Sequence, residues 1–291
     1  DQSQQPSVWV SGFYGSGKSH LVKMLRSLWN DTLFEDGATA RGIASLPQNI
    51  SELFIELSNQ AKRHGGLFAA SGTLGSSANG SVRLAILSVI FKAADLPEQY
   101  PVAKFVMWLK NEGIFDSVKA EVEKNGDDWN EELDNFYVAE GLHEALSKAK
   151  PNLFSSAAVC VDTLNNLYPF VQDVSSDDMI KAIKQALTKE DKFPLSIIVL
   201  DEVQQFISES SERSIEVQEM VESITKNIGG KLMFIGTGQT AVTGTANLAR
   251  LQGRFTLRIE LSDSDVDTVI RKVILAKKPE VKDDIESIMQ T

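Results

Sequence analysis

Eight residues near the amino end, Gly12-Phe13-Tyr14-Gly15-Ser16-Gly17-Lys18-Ser19, satisfy the spacing G-x-x-x-x-G-K-[ST] in full. Glycine lacks a Cβ, so such a run can turn its amide N–H groups inward into an anion-binding nest that side chains would otherwise block. A helix beginning near Lys18 aims the positive end of its dipole at the same point. In that arrangement the amides from Gly12 to Gly17, including those of Phe13, Tyr14 and Ser16, cradle phosphate oxygens. Lys18 reaches the β- and γ-phosphates of a nucleoside triphosphate, and the Ser19 hydroxyl ligates Mg²⁺. The spacing arises by chance about once per hundred chains of this length. A β-prone run before it and an amphipathic segment after it cut that chance much further. His20 follows directly and has two readings, a nucleotide contact or a helix-surface histidine.

Three more segments carry groups suited to the same chemistry. Residues 196–200 are unbroken aliphatic and β-branched after Ser196, the mark of a strand buried on both faces, and they deliver Asp201 and Glu202 at its carboxyl end. Asp201 there can hold the Mg²⁺ water shell, and Glu202 can polarise an attacking water. The apolar run 232–235 leads into Gly236-Thr237-Gly238-Gln239. Gln239 is the first candidate and Thr237 the second to touch the γ-phosphate or the water, the alternative being a turn whose side chains bond only backbone. Arg250 and Arg254 precede the last strand. Arg254, which abuts it, is the candidate finger to the γ-phosphate of a neighbouring subunit, and a surface ion pair is the other reading. The catalytic set is therefore Glu202, Gln239 and Arg254, and the metal set Ser19 and Asp201.

Hydrophobic periodicity supplies the frame for these residues. Strands are expected at 7–10, 67–71, 196–200, 232–235 and 255–261. Helices are expected at 18–29, from about 50 to 64, at 215–228 and at 263–277. Alternating strands and helices predict an α/β fold with a parallel sheet in three layers. Residues 82–191 have helical periods with breaks near Pro97, Pro101, Gly126 and Pro151, too long for a simple connection, and are read as a helical insertion. The expected organisation is a first core segment 1–81, the insertion 82–191, a second core segment 192–262 and the start of a helical lid at 263–291. The aromatic set Tyr100, Phe105, Trp108 and Phe115 is assigned to core packing, and the Gly/Ser-rich stretch 72–81 to a loop.

Composition narrows the partners. The 291 residues carry 40 acidic and 29 basic side chains, a formal net charge of −11, which argues against a broad grip on a nucleic-acid backbone. The single cysteine, Cys160, reads as a small buried hydrophobe in a reducing cytosol. His64 and His143 have no companions at metal-ligand spacing. No stretch reaches the roughly 20 apolar residues that span a bilayer, and no secretory signal precedes the first strand. The start at Asp1 and the polar helical pattern running to Thr291 read as a piece of a longer protein.

The stretch Val8-Trp-Val-Ser-Gly-Phe-Tyr-Gly-Ser-Gly-Lys-Ser-His-Leu-Val-Lys-Met-Leu25, with its aromatic pair inside the loop and Ser-His-Leu after the lysine, resembles the P-loop ATPase component of BREX-type bacteriophage-exclusion systems. The Asp201-Glu202 strand and Arg254-Phe255 agree with the wider AAA+ pattern. The resemblance implies an AAA+-like P-loop NTPase of the catalytic-glutamate class, using ATP and Mg²⁺. It also implies a cytoplasmic protein working with a methyltransferase and other defence proteins, as a homo-oligomer, with DNA contacted indirectly or through further regions. ATP rather than GTP follows from the resemblance and from the lack of an Asn-Lys-x-Asp motif. Two departures stand out: Gln239 occupies a position where many AAA+ proteins carry Asn, and the lid stops at Thr291. The alternatives are an ATP-held scaffold or switch without turnover, and a P-loop kinase, for which no acceptor pocket or Arg-rich lid is seen.

Overall fold

The computed structural model describes residues 7–13, 15–74, 81–242 and 244–261. Tyr14 and the expected helix 263–277 lie outside the described residues. Five strands, β1 (Val8–Ser11), β2 (Leu67–Thr73), β3 (Leu195–Asp201), β4 (Leu232–Gly238) and β5 (Leu257–Glu260), form one sheet in the order β2-β3-β4-β1-β5. Every neighbouring pair is parallel. The chain is thus α/β with an all-parallel central sheet flanked by helices. Parallel strands buried on both faces read as continuous aliphatic runs, and β3 is one. Its Ile197, Ile198, Val199 and Leu200 are all fully buried.

The first helices are α1 (Lys18–Asn30), α2 (Ala40–Ile43) and α3 (Gln48–Ala61). Between β2 and β3 run α4 (Val82–Ala93), α5 (Tyr100–Asn111), α6 (Phe115–Lys124), α7 (Trp129–Asp134), α8 (Glu140–Ala149), α9 (Ala157–Leu167) and α10 (Ser176–Leu187). After β3 come α11 (Val203–Ile207) and α12 (Ser211–Ile228), and α13 (Ala246–Ala249) precedes β5.

Side chains alternate across a strand, so each strand serves two cores. Val8 and Val10 of β1, Ala69 of β2, Ile197 and Val199 of β3 and Ile235 of β4 pack with Val22, Leu21, Leu25 and Trp29 of α1. The intervening residues, Trp9, Ala70, Ile198, Leu200 and Phe234, point to the other face and join a much larger core. There α4 packs on β2, α12 packs on β4, and α10 packs against both helices. The block expected as an insertion therefore begins and ends with helices of the sheet's own covering layer, and α5–α9 build outward from them. Phe105, Phe136 and Phe154 carry one unbroken apolar core from the sheet into that region. Phe105 and Phe136 lie 4.9 Å apart between ring centroids, with their planes tilted by 55°. Tyr100, Trp108 and Phe115 pack against this core, so the aromatic set is structural.

Cys160 is fully buried and donates to the His143 carbonyl, and burial pushes its thiol pKa up. His143 is buried as well, and desolvation holds its imidazole below the usual histidine range. Among the described residues no helix is long and apolar enough to cross a membrane.

Candidate functional site

Strand order decides what meets at the carboxyl edge of the sheet. β4 stands between β1 and β3, pairing Ser11 with Gly238 and Leu200 with Gly236. The loop after β1, the Asp-Glu end of β3 and the turn after β4 therefore open into one cleft. It holds about 400 Å³, and Lys18, Ser19, Asp201, Glu202, Thr237 and Gln239 are among its lining. Gly15, Gly17 and His20 line it too.

The glycines are needed individually. Gly15 and Gly17 both sit at φ +85°, in the left-handed region that favours glycine. At Gly12 a Cβ would come within 2.5 Å of Ser16 Oγ, so the loop closes on itself only without one. Ser16 Oγ is itself buried without a protein partner among the described residues. Gly17 caps α1 in the left-handed conformation, and no side chain caps the helix. The first amides of a 13-residue helix are left to face the cleft with its positive dipole end. Phe13 is exposed beside the loop.

Lys18 reaches back over the loop. Its Nζ donates to the carbonyls of Gly12 at 2.6 Å and Phe13 at 2.9 Å, using two of three donors. Burial lowers its pKa, and the charge of Asp201 opposes that shift, so the ammonium and the carboxylate feel one another across the cleft.

At the end of β3 the backbone turns sharply. Glu202 has φ 57° and ψ 30°, a left-handed conformation uncommon for a residue with a long side chain. Such strain persists only where surroundings fix it. Here the Glu202 N–H donates to Asp201 Oδ1 at 3.1 Å and to Thr237 Oγ1 at 3.0 Å. The Thr237 hydroxyl in turn donates to Asp201 Oδ1. Thr237 is 1% exposed and its hydroxyl is committed in both directions. It orients Asp201 and Glu202, whereas the Gln239 side chain, exposed in the cleft, makes no hydrogen bond among the described residues.

Sequence reasoning missed the clamp on that turn. Gln204, in the first turn of α11, accepts from the amides of Gln239 at 2.6 Å and Thr240 at 2.9 Å through its Oε1. From the other side the Trp9 indole donates to the Thr240 carbonyl at 3.0 Å. Gly238 lies between the two, where a Cβ would meet Trp9 Cζ2 at 2.4 Å and Gln204 Oε1 at 3.0 Å. Only the glycine at 238 hints at this in the sequence. A Gly238→Ala chain is expected to lose about 1–3 kcal/mol of stability through overpacking. It should also displace Gln239, and urea unfolding beside a turnover assay would read both effects.

Arg254 lies elsewhere. Its carbonyl accepts from the Ser7 N–H at the amino edge of the sheet, and its guanidinium pairs with Glu222 of α12 at 2.5 Å. Arg250 Nη1 reaches the Ser211 carbonyl at 3.5 Å. Neither arginine lines the cleft of its own chain.

The donor set suits a hard divalent ion. The Ser19 hydroxyl and the Asp201 carboxylate share the cleft, and Mg²⁺ takes one or two protein oxygens and keeps waters and phosphate oxygens for the rest. Fold and cleft together define an α/β protein whose glycine loop, Asp-Glu strand and β4 turn converge at the carboxyl edge of a five-stranded parallel sheet. No family model matches the chain.

Proposed function

We propose that this chain is the ATP-binding and ATP-hydrolysing core of a BREX-like phage-defence protein, an AAA+-like P-loop NTPase of the catalytic-glutamate class. The observation that carries the reading is the convergence of Lys18, Ser19, Asp201, Glu202 and Gln239 on one cleft, from elements that span more than 200 residues of sequence. In this reading the loop amides and Lys18 hold the phosphates. Ser19 and Asp201 would hold Mg²⁺, which supplies charge neutralisation on the β- and γ-phosphates when bound. Glu202 orients the attacking water and takes its proton, and Gln239 donates to the γ-phosphate or to that water. Thr237 and Gln204 keep the two reacting edges in register. Arg254, distant from its own cleft, serves the cleft of an adjoining copy. In this reading, which rests on the resemblance of the loop region, the work is done in the cytoplasm, on other defence proteins and indirectly on DNA.

The test is phosphate release from Mg-ATP over a range of protein concentrations, with and without EDTA, beside Arg254→Ala. Turnover that needs Mg²⁺, rises per chain with concentration and falls in Arg254→Ala supports an assembled ATPase. ATP binding with no turnover at any concentration would make the chain a nucleotide-held scaffold and sink the enzymatic reading.

A further inference from the structure

The opposite edge of the sheet holds a second concavity, of about 600 Å³, whose lining includes Ser58, Lys62, His64, Lys189, Glu190 and Lys192. Two turns create it. One follows α3 and carries Lys62, Arg63 and His64 into Gly65 and Gly66; the other joins α10 to β3. They are pressed backbone to backbone: a Cβ on Gly65 would lie 2.5 Å from the Lys192 carbonyl oxygen, and the Leu195 N–H donates to the Gly66 carbonyl at 3.0 Å. The seven residues of β3 separate this edge from the phosphate loop's edge, about 20 Å at strand rise.

The charges here are arranged against folding stability. Lys189 and Lys192 face each other as an antiparallel pair, exchanging both backbone bonds at 3.0 and 2.9 Å. Like charges directly opposite on paired strands are destabilising. The turn between them contains Glu190 and Asp191, both at positive φ, yet neither acid forms an ion pair with Lys62, Lys189 or Lys192 among the described residues. Another positive charge lies behind the lining. Arg41 donates to Ser58 Oγ at 2.6 Å and to the carbonyls of Leu28, Trp29 and Phe54, with Asp31 as the carboxylate whose charge it feels. In a chain of net charge −11, three lysines line one hollow, and Glu190, which lines it too, pairs with none of them. Screening over a Debye length of about 8–10 Å lets such a local field act despite the overall charge.

We propose that this hollow is a second anion site that takes a phosphate-bearing ligand, whose negative charge meets Lys62, Lys189 and Lys192 from outside. Lysines act as mobile point charges on phosphate, and the volume suits a nucleotide-sized group. The shared chemistry is the phosphate oxyanion, whether from a free polyphosphate or from a nucleic-acid backbone.

The experiment uses the full chain with Lys18→Ala, which removes the phosphate-loop lysine from the comparison. Tripolyphosphate is titrated by calorimetry, and a short fluorescein-labelled single-stranded oligonucleotide by anisotropy, at about 50 and 200 mM salt. Lys189→Glu and Lys192→Glu are each expected to weaken binding about tenfold or more and to flatten the salt dependence by about one unit of slope. Each should also raise the thermal midpoint, because a Glu–Lys pair replaces the Lys–Lys pair. A purely structural role for these lysines would not move binding and stability in opposite directions. Binding of tripolyphosphate alone assigns a small ligand, and binding of the oligonucleotide assigns a backbone site. If neither probe binds, or if both variants bind as their parent does, the proposal is overturned. Should either variant melt early, Lys62→Glu on the other turn decides, and unchanged binding there also overturns it.

Discussion

A Glu202→Gln chain is expected to bind Mg-ATP with the affinity of the unsubstituted chain and to release phosphate about 10²–10⁴-fold more slowly, the range that a positioned general base contributes. The substitution is nearly isosteric and leaves the backbone amide of residue 202 on Asp201 and Thr237, so the left-handed turn at the end of β3 should persist. What changes is the capacity to accept a proton from water. Equilibrium binding of a fluorescent ATP analogue, beside a phosphate-release assay, separates the two quantities. Equal loss of binding and turnover would mean that Glu202 holds nucleotide or structure, and the base role would be lost.

Lys18→Ala should act at the other step. Hydrogen bonds to charged groups contribute about 1.5–3 kcal/mol each, so removing the ammonium should weaken nucleotide binding by roughly ten- to a hundredfold. Nζ also ties the carbonyls of Gly12 and Phe13 together, at 2.6 and 2.9 Å. Some of the loss will therefore come from a loosened loop. Lys18→Met, which keeps the aliphatic stem but loses the same two carbonyl bonds, is the control: it should match the alanine chain in affinity. Unaltered affinity in both would remove Lys18 from the phosphate site.

Local motifs were legible and remote geometry was not. The glycine loop is legible as a tight turn because its glycines fall within eight consecutive residues, and Gly15 and Gly17 take positive φ. The aliphatic run of β3 likewise marks the buried strand, with Asp201 at its end. Thr237 is second to Gln239 as a candidate contact, and nothing around it in the sequence signals that its hydroxyl bridges Asp201 and the Glu202 amide. That depends on β4 lying beside β3, a fact of topology. Gln204 was invisible for a similar reason, since a glutamine in a short helix usually faces water. Periodicity marks 82–191 as helical but not each helix's neighbour, so the packing of α4 on β2 and of α10 against α4 and α12 is not legible in it. The lysine hollow joins turns over 120 residues apart, so a scan for clustered basic residues passes over it.

The two sides of the sheet differ in depth. Among the described residues, α1 rests on a core of seven buried side chains, whereas α4 and α12 are rooted in the far larger core on the other face. The free energy of local opening follows the number of buried apolar contacts that must separate. Amide exchange should therefore be quicker in α1 than in α12, and the molecule should breathe on its shallow side. The glycine loop is joined to that side, and under the proposed function a nucleotide seated in it would favour the closed form. By mass action, occupancy would then suppress the breathing, and the shallow face would stiffen and relax with the nucleotide supply.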